Sequence, residues 1–163
     1  NALENVPGRY EVIHSDEGFS AVVDYAHTGD ALLKLLQSVN ELSHKRIITV
    51  FGCGGDRDRT KRPIMGLIAS SNSGYLIVTS DNPRTETPIE IISEIISGIS
   101  LKNFEVVEDR ESAIAKAVQM AQNGDIIVIA GKGHEDYQIL GKNKIHFDDR
   151  EMVQKYINKR KPV

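Results

Sequence analysis

Short apolar runs alternate with helical stripes along the chain. Residues 10–14 and 19–25 are β-rich and flank the turn-forming Ser15-Asp16-Glu17-Gly18, a pattern that predicts a hairpin. Leu32, Leu35, Leu36, Val39 and Leu42 then recur at helical spacing, and the continuous apolar run RIITVF at 46–51 reads as a buried strand. Pro63, suited to a first helical turn, opens a second helix expected to turn Ile64, Leu67 and Ile68 inward, and a strand follows at 75–79. Thr87-Pro88-Ile89-Glu90 has capping-box spacing ahead of the stripe Ile92, Ile95, Ile96 and Ile99. Asp109 is placed to cap a helix running to residue 122, with Gly124 ending it. DIIVIA at 125–130 has the unbroken apolarity of a strand covered on both faces. Residues 138–147 are expected to turn back on themselves around Gly141, and Asp148 to Glu151 offer a capping box for a last helix with Met152, Val153, Tyr156 and Ile157.

Alternating strands and helices imply right-handed crossovers. The expected fold is therefore α/β: a mostly parallel, doubly wound, Rossmann-like sheet with helices on both faces and an N-terminal β-hairpin. At 163 residues and 40% hydrophobic, the chain suffices for one packed domain. That domain is expected over 1–158, with a basic tail at 159–163 expected to fray. Ligands of such sheets sit beyond the carboxyl ends of the strands. Four polar loops, at 24–28, 52–61, 80–86 and 131–136, each follow an expected strand, so one cleft is expected where they meet.

Charge narrows the choice of ligand. A formal charge of -3, from Lys+Arg 20 against Asp+Glu 23, gives no bulk attraction for nucleic acid or anionic membrane, so any anion must be held by local groups. No apolar run approaches the roughly 20 residues that span a bilayer, and no signal peptide opens the chain, so the expected location is cytoplasmic. The single cysteine, Cys53, cannot form an internal disulfide, and the histidines lack zinc spacing, so no metal ligands are expected. A first residue Asn in place of Met is read as the mark of an excised domain. Two phosphate motifs also fail. Gly52-Cys53-Gly54-Gly55 follows a strand but has Arg57 where a dinucleotide fingerprint needs its last glycine, and neither Gly131-Lys132-Gly133 nor Gly141-Lys142-Asn143 completes a P-loop. The plainer reading of the glycine run is a tight turn that uses glycine's conformational freedom.

Five strings in order carry a resemblance across nearly the whole chain: PGRYE at 7–11, DYAHT at 24–28, FGCGGDRDRTKRP at 51–63, DNPR at 81–84 and GKGHEDYQ at 131–138. Together they resemble the C-terminal domain of the Mur ligases, of the tripeptide synthetase (MurE) type that adds meso-diaminopimelate. Gly29, where the family usually has proline, is one departure. The resemblance implies ATP-dependent peptide-bond formation on UDP-N-acetylmuramoyl-dipeptide, in which a phosphorylated carboxylate is attacked by the incoming amine. ATP and Mg2+ would be bound mainly by a central domain absent from this sequence, so no catalytic residue is assigned here. Closure of this domain on the central one would complete the site and exclude water.

By motif match, Arg9, Asp24 and His27 are expected to face ATP, and Arg62, Asp81, Asn82, Pro83, Arg84, Gly131 and Glu135 to form the amino-acid site. The chemistry suits these roles. meso-Diaminopimelate carries a carboxylate and an ammonium at each end; Arg84 and Arg62 would hold carboxylates, and Asp81 or Glu135 an ammonium. Plainer readings stand beside them: a surface pair of Arg62 with Asp56 or Asp58, an ordinary turn at Asp81-Asn82-Pro83, and a solvated or hydrogen-bonded loop position for His134. His14, His44 and His146 are expected at the surface and Cys53 in packing. Other functional classes are a lysine-adding relative, another Mur or folylpolyglutamate ligase domain, and a stand-alone α/β binding module.

Overall fold

The computed structural model describes residues 9–160. Its elements run β1 (Glu11–His14), β2 (Ser20–Asp24), α1 (Gly29–Asn40), β3 (Ile47–Phe51), α2 (Lys61–Ser71), β4 (Tyr75–Val78), α3 (Pro88–Ile96), β5 (Phe104–Val106), α4 (Arg110–Met120), β6 (Ile126–Ala130), β7 (Tyr137–Leu140), β8 (Asn143–His146) and α5 (Asp149–Arg160). The first six strands in sheet order are β1-β2-β6-β3-β4-β5, and β7-β8 is a separate hairpin. β1 pairs antiparallel with β2, and the other contacts of the large sheet are parallel. The α/β, doubly wound expectation and the N-terminal hairpin are both met.

The two faces of the sheet follow from strand periodicity. Val22, Ile47, Phe51, Leu76, Val78, Ile126 and Val128 turn to one side, against Leu32, Leu36 and Val39 of α1, Met65 and Ala69 of α2, and Ile91, Ile92 and Ile95 of α3. The alternate residues Ala21, Val23, Ile48, Val50, Ile77, Ile127 and Ile129 turn to the other side, against Ala113, Ile114 and Ala117 of α4 and Val153 and Ile157 of α5. After β5 the chain returns through α4 and inserts β6 between β2 and β3. That reversal brings the ends of β2, β6, β3 and β4 side by side.

Several details differ from the sequence pattern. In α2 the buried face is Arg62, Met65, Gly66, Ala69 and Ser70, whereas Ile64 and Leu67 are half-exposed. The reason is close packing: a Cβ on Gly66 would stand 2.2 Å from the Ile95 carbonyl oxygen of α3, so the small-residue face is the one that can approach. Leu42 lies beyond α1 and is exposed. α3 buries Ile91 with Ile92 and Ile95, and Thr87 makes no side-chain cap bond there, unlike Asp109, whose carboxylate accepts from the Ser112 amide. β5 is a short edge strand that the sequence pattern does not announce. Lys159 and Arg160, expected to fray, belong to α5; Arg160 pairs with Glu17 at 2.9 Å and lies over the Phe19 ring. Pro7, Gly8 and Lys161 lie outside the described residues.

One ion pair at the carboxyl end of the sheet has no exposed atoms on either side chain. Arg110, the first residue of α4, donates to both carboxylate oxygens of Asp149, the first residue of α5, at 2.8 and 2.7 Å. It also donates to the Ser80 carbonyl beyond β4 at 3.0 Å and to the Ala130 carbonyl of β6 at 3.3 Å. Burial opposes its charge, but Asp149, with smaller contributions from Asp81 and Glu135, outweighs that and holds the guanidinium above its ordinary pKa. Truncating one partner strands the other charge in the interior. Arg110→Ala is expected to lower unfolding stability by about 3–5 kcal/mol, read from urea denaturation. The double change Arg110→Met, Asp149→Leu is expected to recover most of that loss.

Candidate functional site

The four loops do converge. A cavity of about 620 Å³ at the carboxyl ends of the strands is lined by Tyr25, His27 and Thr28 after β2, Gly54, Arg57, Asp58 and Lys61 after β3, Asp81, Asn82 and Arg84 after β4, and Gly131, Glu135 and Tyr137 after β6. Its charged side chains balance: Arg57, Lys61 and Arg84 against Asp58, Asp81 and Glu135. Such a cavity suits a zwitterion better than a simple anion.

Local structure explains how the loops approach so closely. A Cβ on Gly52 would stand 2.2 Å from the Thr79 carbonyl oxygen and one on Gly55 1.8 Å from that of Pro83. Gly52, Gly54 and Gly55 do not have positive φ. The glycine run is therefore required by loop contact and not by the unusual torsions that the sequence suggested. Arg84, by contrast, is left-handed at φ +53, a costly conformation for a side-chain-bearing residue. It is held there by its amide bond to the Ile139 carbonyl (3.2 Å) and by a bridge to Leu140, both in β7. One guanidinium nitrogen, Nη1, is anchored to the carbonyls of Gly55 (3.0 Å) and Asn82 (3.4 Å). The Nε and Nη2 edge has no acceptor among the described residues, which leaves a forked pair of donors for a carboxylate.

Asp81, Asn82, Arg84, Gly131 and Glu135 are thus brought together, while Arg62 and Pro83 are not on the cavity wall. Arg62 has no exposed side-chain surface. It donates to both oxygens of Glu86 at 3.0 and 2.8 Å, to Glu94 of α3 at 2.7 Å and to the Gly54 carbonyl at 3.0 Å. Its partners are these two glutamates, not Asp56 or Asp58. From this segment the cations that do reach the cavity are Arg57, five residues earlier, and Lys61, neither of which the motif match singles out. Arg57 spends one N–H on the Asp56 carbonyl (2.9 Å), and its other donors have no acceptor among the described residues. The repeated Asp-Arg-Asp-Arg of 56–59 holds candidates that spacing alone does not rank. Tyr137, also overlooked, donates its hydroxyl to Glu135 at 3.0 Å and so orients that carboxylate.

Arg9, Asp24 and His27 line a second cavity of about 660 Å³, with Tyr10, Ala31, Lys34, Leu35 and Ser38. Asp24 holds its rim by accepting from the Tyr10 amide at 2.7 Å and the Ala26 amide at 2.8 Å. Tyr25 and His27 border both cavities, their rings 4.6 Å apart, and the exposed His134 ring sits 5.4 Å from Tyr25. His14 and His146 are exposed and His44 is half-buried. Cys53 is buried beside Met65, and burial pushes its thiol up to about 12, which leaves it inert. Among the described residues no acidic, histidine or cysteine cluster is arranged for a metal ion, and no helix is long and apolar enough to cross a membrane.

The fold is an α/β domain of the doubly wound class, with the cavity at the point where strand order reverses. The profile described as Mur ligase, glutamate ligase domain, matches residues 8–133, and the chain belongs to the Mur ligase family. It is 54% identical over 159 residues to the UDP-N-acetylmuramoyl-L-alanyl-D-glutamate--2,6-diaminopimelate ligase 1 of Clostridium acetobutylicum, covering 96% of this chain and 33% of that protein. It is 56% identical over 158 residues to the corresponding ligase of Gloeobacter violaceus, covering 96% and 32%. A solved structure of such a diaminopimelate ligase superposes with TM-score 0.90 at 44% identity, over 95% of this chain and 32% of that one. A folylpolyglutamate synthase/dihydrofolate synthase of Yersinia pestis shares the fold at TM-score 0.62 and 19% identity, over 80% of this chain and 29% of that one. The chain therefore spans about a third of the length of the curated relatives it matches.

The Arg62 network gives the stability of the fold a pH dependence. Its hydrogen bonds to Arg62, then one from the Asp56 amide, hold the Glu86 carboxyl down at about 2, from an ordinary 4.5. Because the folded value is the lower one, Glu86 contributes its full stability above pH 4.5 and loses it as pH falls towards 2. Urea midpoints measured across that window are expected to fall less steeply for Glu86→Gln, which starts out less stable at neutral pH.

Proposed function

We propose that this chain is the amino-acid-binding domain of a ligase that adds meso-diaminopimelate to UDP-N-acetylmuramoyl-L-alanyl-D-glutamate in peptidoglycan synthesis. The observation that carries this reading is the charge-balanced cavity with the unspent guanidinium edge of Arg84. Arg84 and Arg57 take carboxylates, Asn82 and the Gly131 backbone hydrogen-bond, and Glu135, oriented by Tyr137, takes an ammonium. Asp81 takes the second ammonium while staying paired with Lys132 at 2.9 Å. Arg62 and Pro83 act from behind the wall: Arg62 ties α2, α3 and the 54–56 turn together, and Pro83 supplies the backbone against which Gly55 packs.

Lysine lacks the distal carboxylate. Bound in its place, it would leave a desolvated arginine without its anion, at about 1–3 kcal/mol, or roughly tenfold to a hundredfold in selectivity. The neighbouring cavity suits a nucleotide, with Leu35 and Ala31 as its apolar floor, His27 and Tyr25 as ring surfaces, and Arg9 and Lys34 as cations. When bound there, with Mg2+ and mainly by parts of the ligase outside this chain, ATP supplies the phosphoryl group that activates the glutamyl carboxylate. The shared wall of Tyr25 and His27 then sets amine and activated carboxylate on neighbouring sides.

Amide NMR of this chain is expected to show shifts at Arg57, Asn82, Arg84, Gly131 and Glu135 with meso-diaminopimelate and smaller ones with lysine; equal responses would overturn the specificity. In the intact ligase, Arg84→Ala is expected to raise KM for diaminopimelate roughly tenfold to a hundredfold and to narrow the preference over lysine, as read by steady-state kinetics.

A further inference from the structure

We propose that Lys132 is a positioning residue that fixes the side-chain amide of Asn82 with its NH2 group towards the cavity, so that the site presents a donor there. The inference rests on the amino-acid-binding reading given above and deepens it.

Lys132 has no exposed side-chain surface and is not part of the cavity wall. Its ammonium has three N–H donors and three neighbouring acceptors: Asn82 Oδ1 at 2.8 Å, the Tyr137 carbonyl at 2.8 Å and Asp81 Oδ1 at 2.9 Å. Two donors are committed to Asn82 and Tyr137 and the charge is paired with Asp81, so the protonated amine has no free lone pair to act as a base. What it does is join the loop after β6 to the loop after β4 and to β7.

The ends of an asparagine amide differ only in hydrogen-bonding character, so neighbours decide which way it faces. Asn82 Oδ1 accepts from Lys132 Nζ and also from the Ile139 amide at 3.0 Å, which occupies both of its lone pairs. A flipped amide would set its NH2 against two donors. Nδ2 has no acceptor among the described residues, and Asn82 lines the cavity. A buried ammonium and one strand amide thus convert an ambivalent side chain into a donor, aimed where a carboxylate oxygen is to be bound. Lys132 itself never needs to touch the ligand.

The test begins on the ligand-free chain, by NMR with the Asn82 side chain labelled. In the wild type, a coupling through the hydrogen bond is expected between the Ile139 amide nitrogen and the Asn82 carboxamide carbon; its absence overturns the inference. Lys132→Met is expected to shift that carbon and average the NH2 signals while the sheet spectrum persists. A folded variant with wild-type Asn82 signals also overturns it. Should Lys132→Met not fold, Asn82→Asp carries the second arm, since a carboxylate keeps both bonds to Lys132 and Ile139 but offers the cavity an acceptor. In the intact ligase this change is expected to raise KM for diaminopimelate about 100-fold, with kcat changed far less. An unchanged or lower KM overturns the inference. A wild-type ligase that does not use diaminopimelate refutes the amino-acid reading instead, and the ligand-free spectra still judge Lys132.

Discussion

The pair of Arg110 and Asp149 is the constraint on which the carboxyl end of this sheet depends. Removing both charges from water costs several kcal/mol per ion, and only near-ideal geometry offsets that. Here two parallel hydrogen bonds join the charges, and two further donors of the same guanidinium reach carbonyls on either side of β3. Both residues begin helices, so α4 and α5 start from one point. The spacing between the end of β6 and the segment leaving β4 is set by the span of one rigid planar group. Two of the four loops that form the cavity leave from those strand ends.

Above that anchor the site is built in layers, and each layer restricts the next. Gly52 and Gly55 let the loop after β3 lie against the loop after β4 at distances no side chain would permit. Arg62, sealed beneath, joins that contact to α3 through Glu86 and Glu94. The β7 strand then binds the outer loop: the Gln138 side chain donates to the Asp81 carbonyl, the Ile139 amide to Asn82 and the Arg84 amide to Ile139. Little torsional freedom remains at the cavity before any ligand arrives, which is the economical state for selective binding.

Much of this was legible in the sequence because the signals were strong and local. The buried runs at 46–51 and 125–130 and the turn at Gly141 each announce one element. The four polar loops after strands foretold where the cavity lies. The face of α2 was misread because hydrophobicity marks Ile64 and Leu67, while contact with α3 selects Gly66 and Ala69, whose advantage is their lack of bulk. β5 was missed because Phe104–Val106 is three residues at a sheet edge, too short for a period to show. Arg62 and Arg57 look alike in a string. Only the turn of the chain sends one under the wall and the other to its surface. Arg110 is in the same position, since nothing local distinguishes a first-turn arginine in solvent from one that clamps two strands.

Arg84 owes its left-handed backbone to a hairpin more than fifty residues further along the chain, which lends one carbonyl and one bridge to hold it. The shape of the carboxylate fork is therefore inherited from a segment that, apart from Tyr137 at its base, stays off the cavity wall. Drift in the length or twist of β7 and β8 would redirect that fork while every residue at the cavity kept its identity. Two descendants of such a gene with identical motifs and different hairpins would then part company in the amino acid they choose.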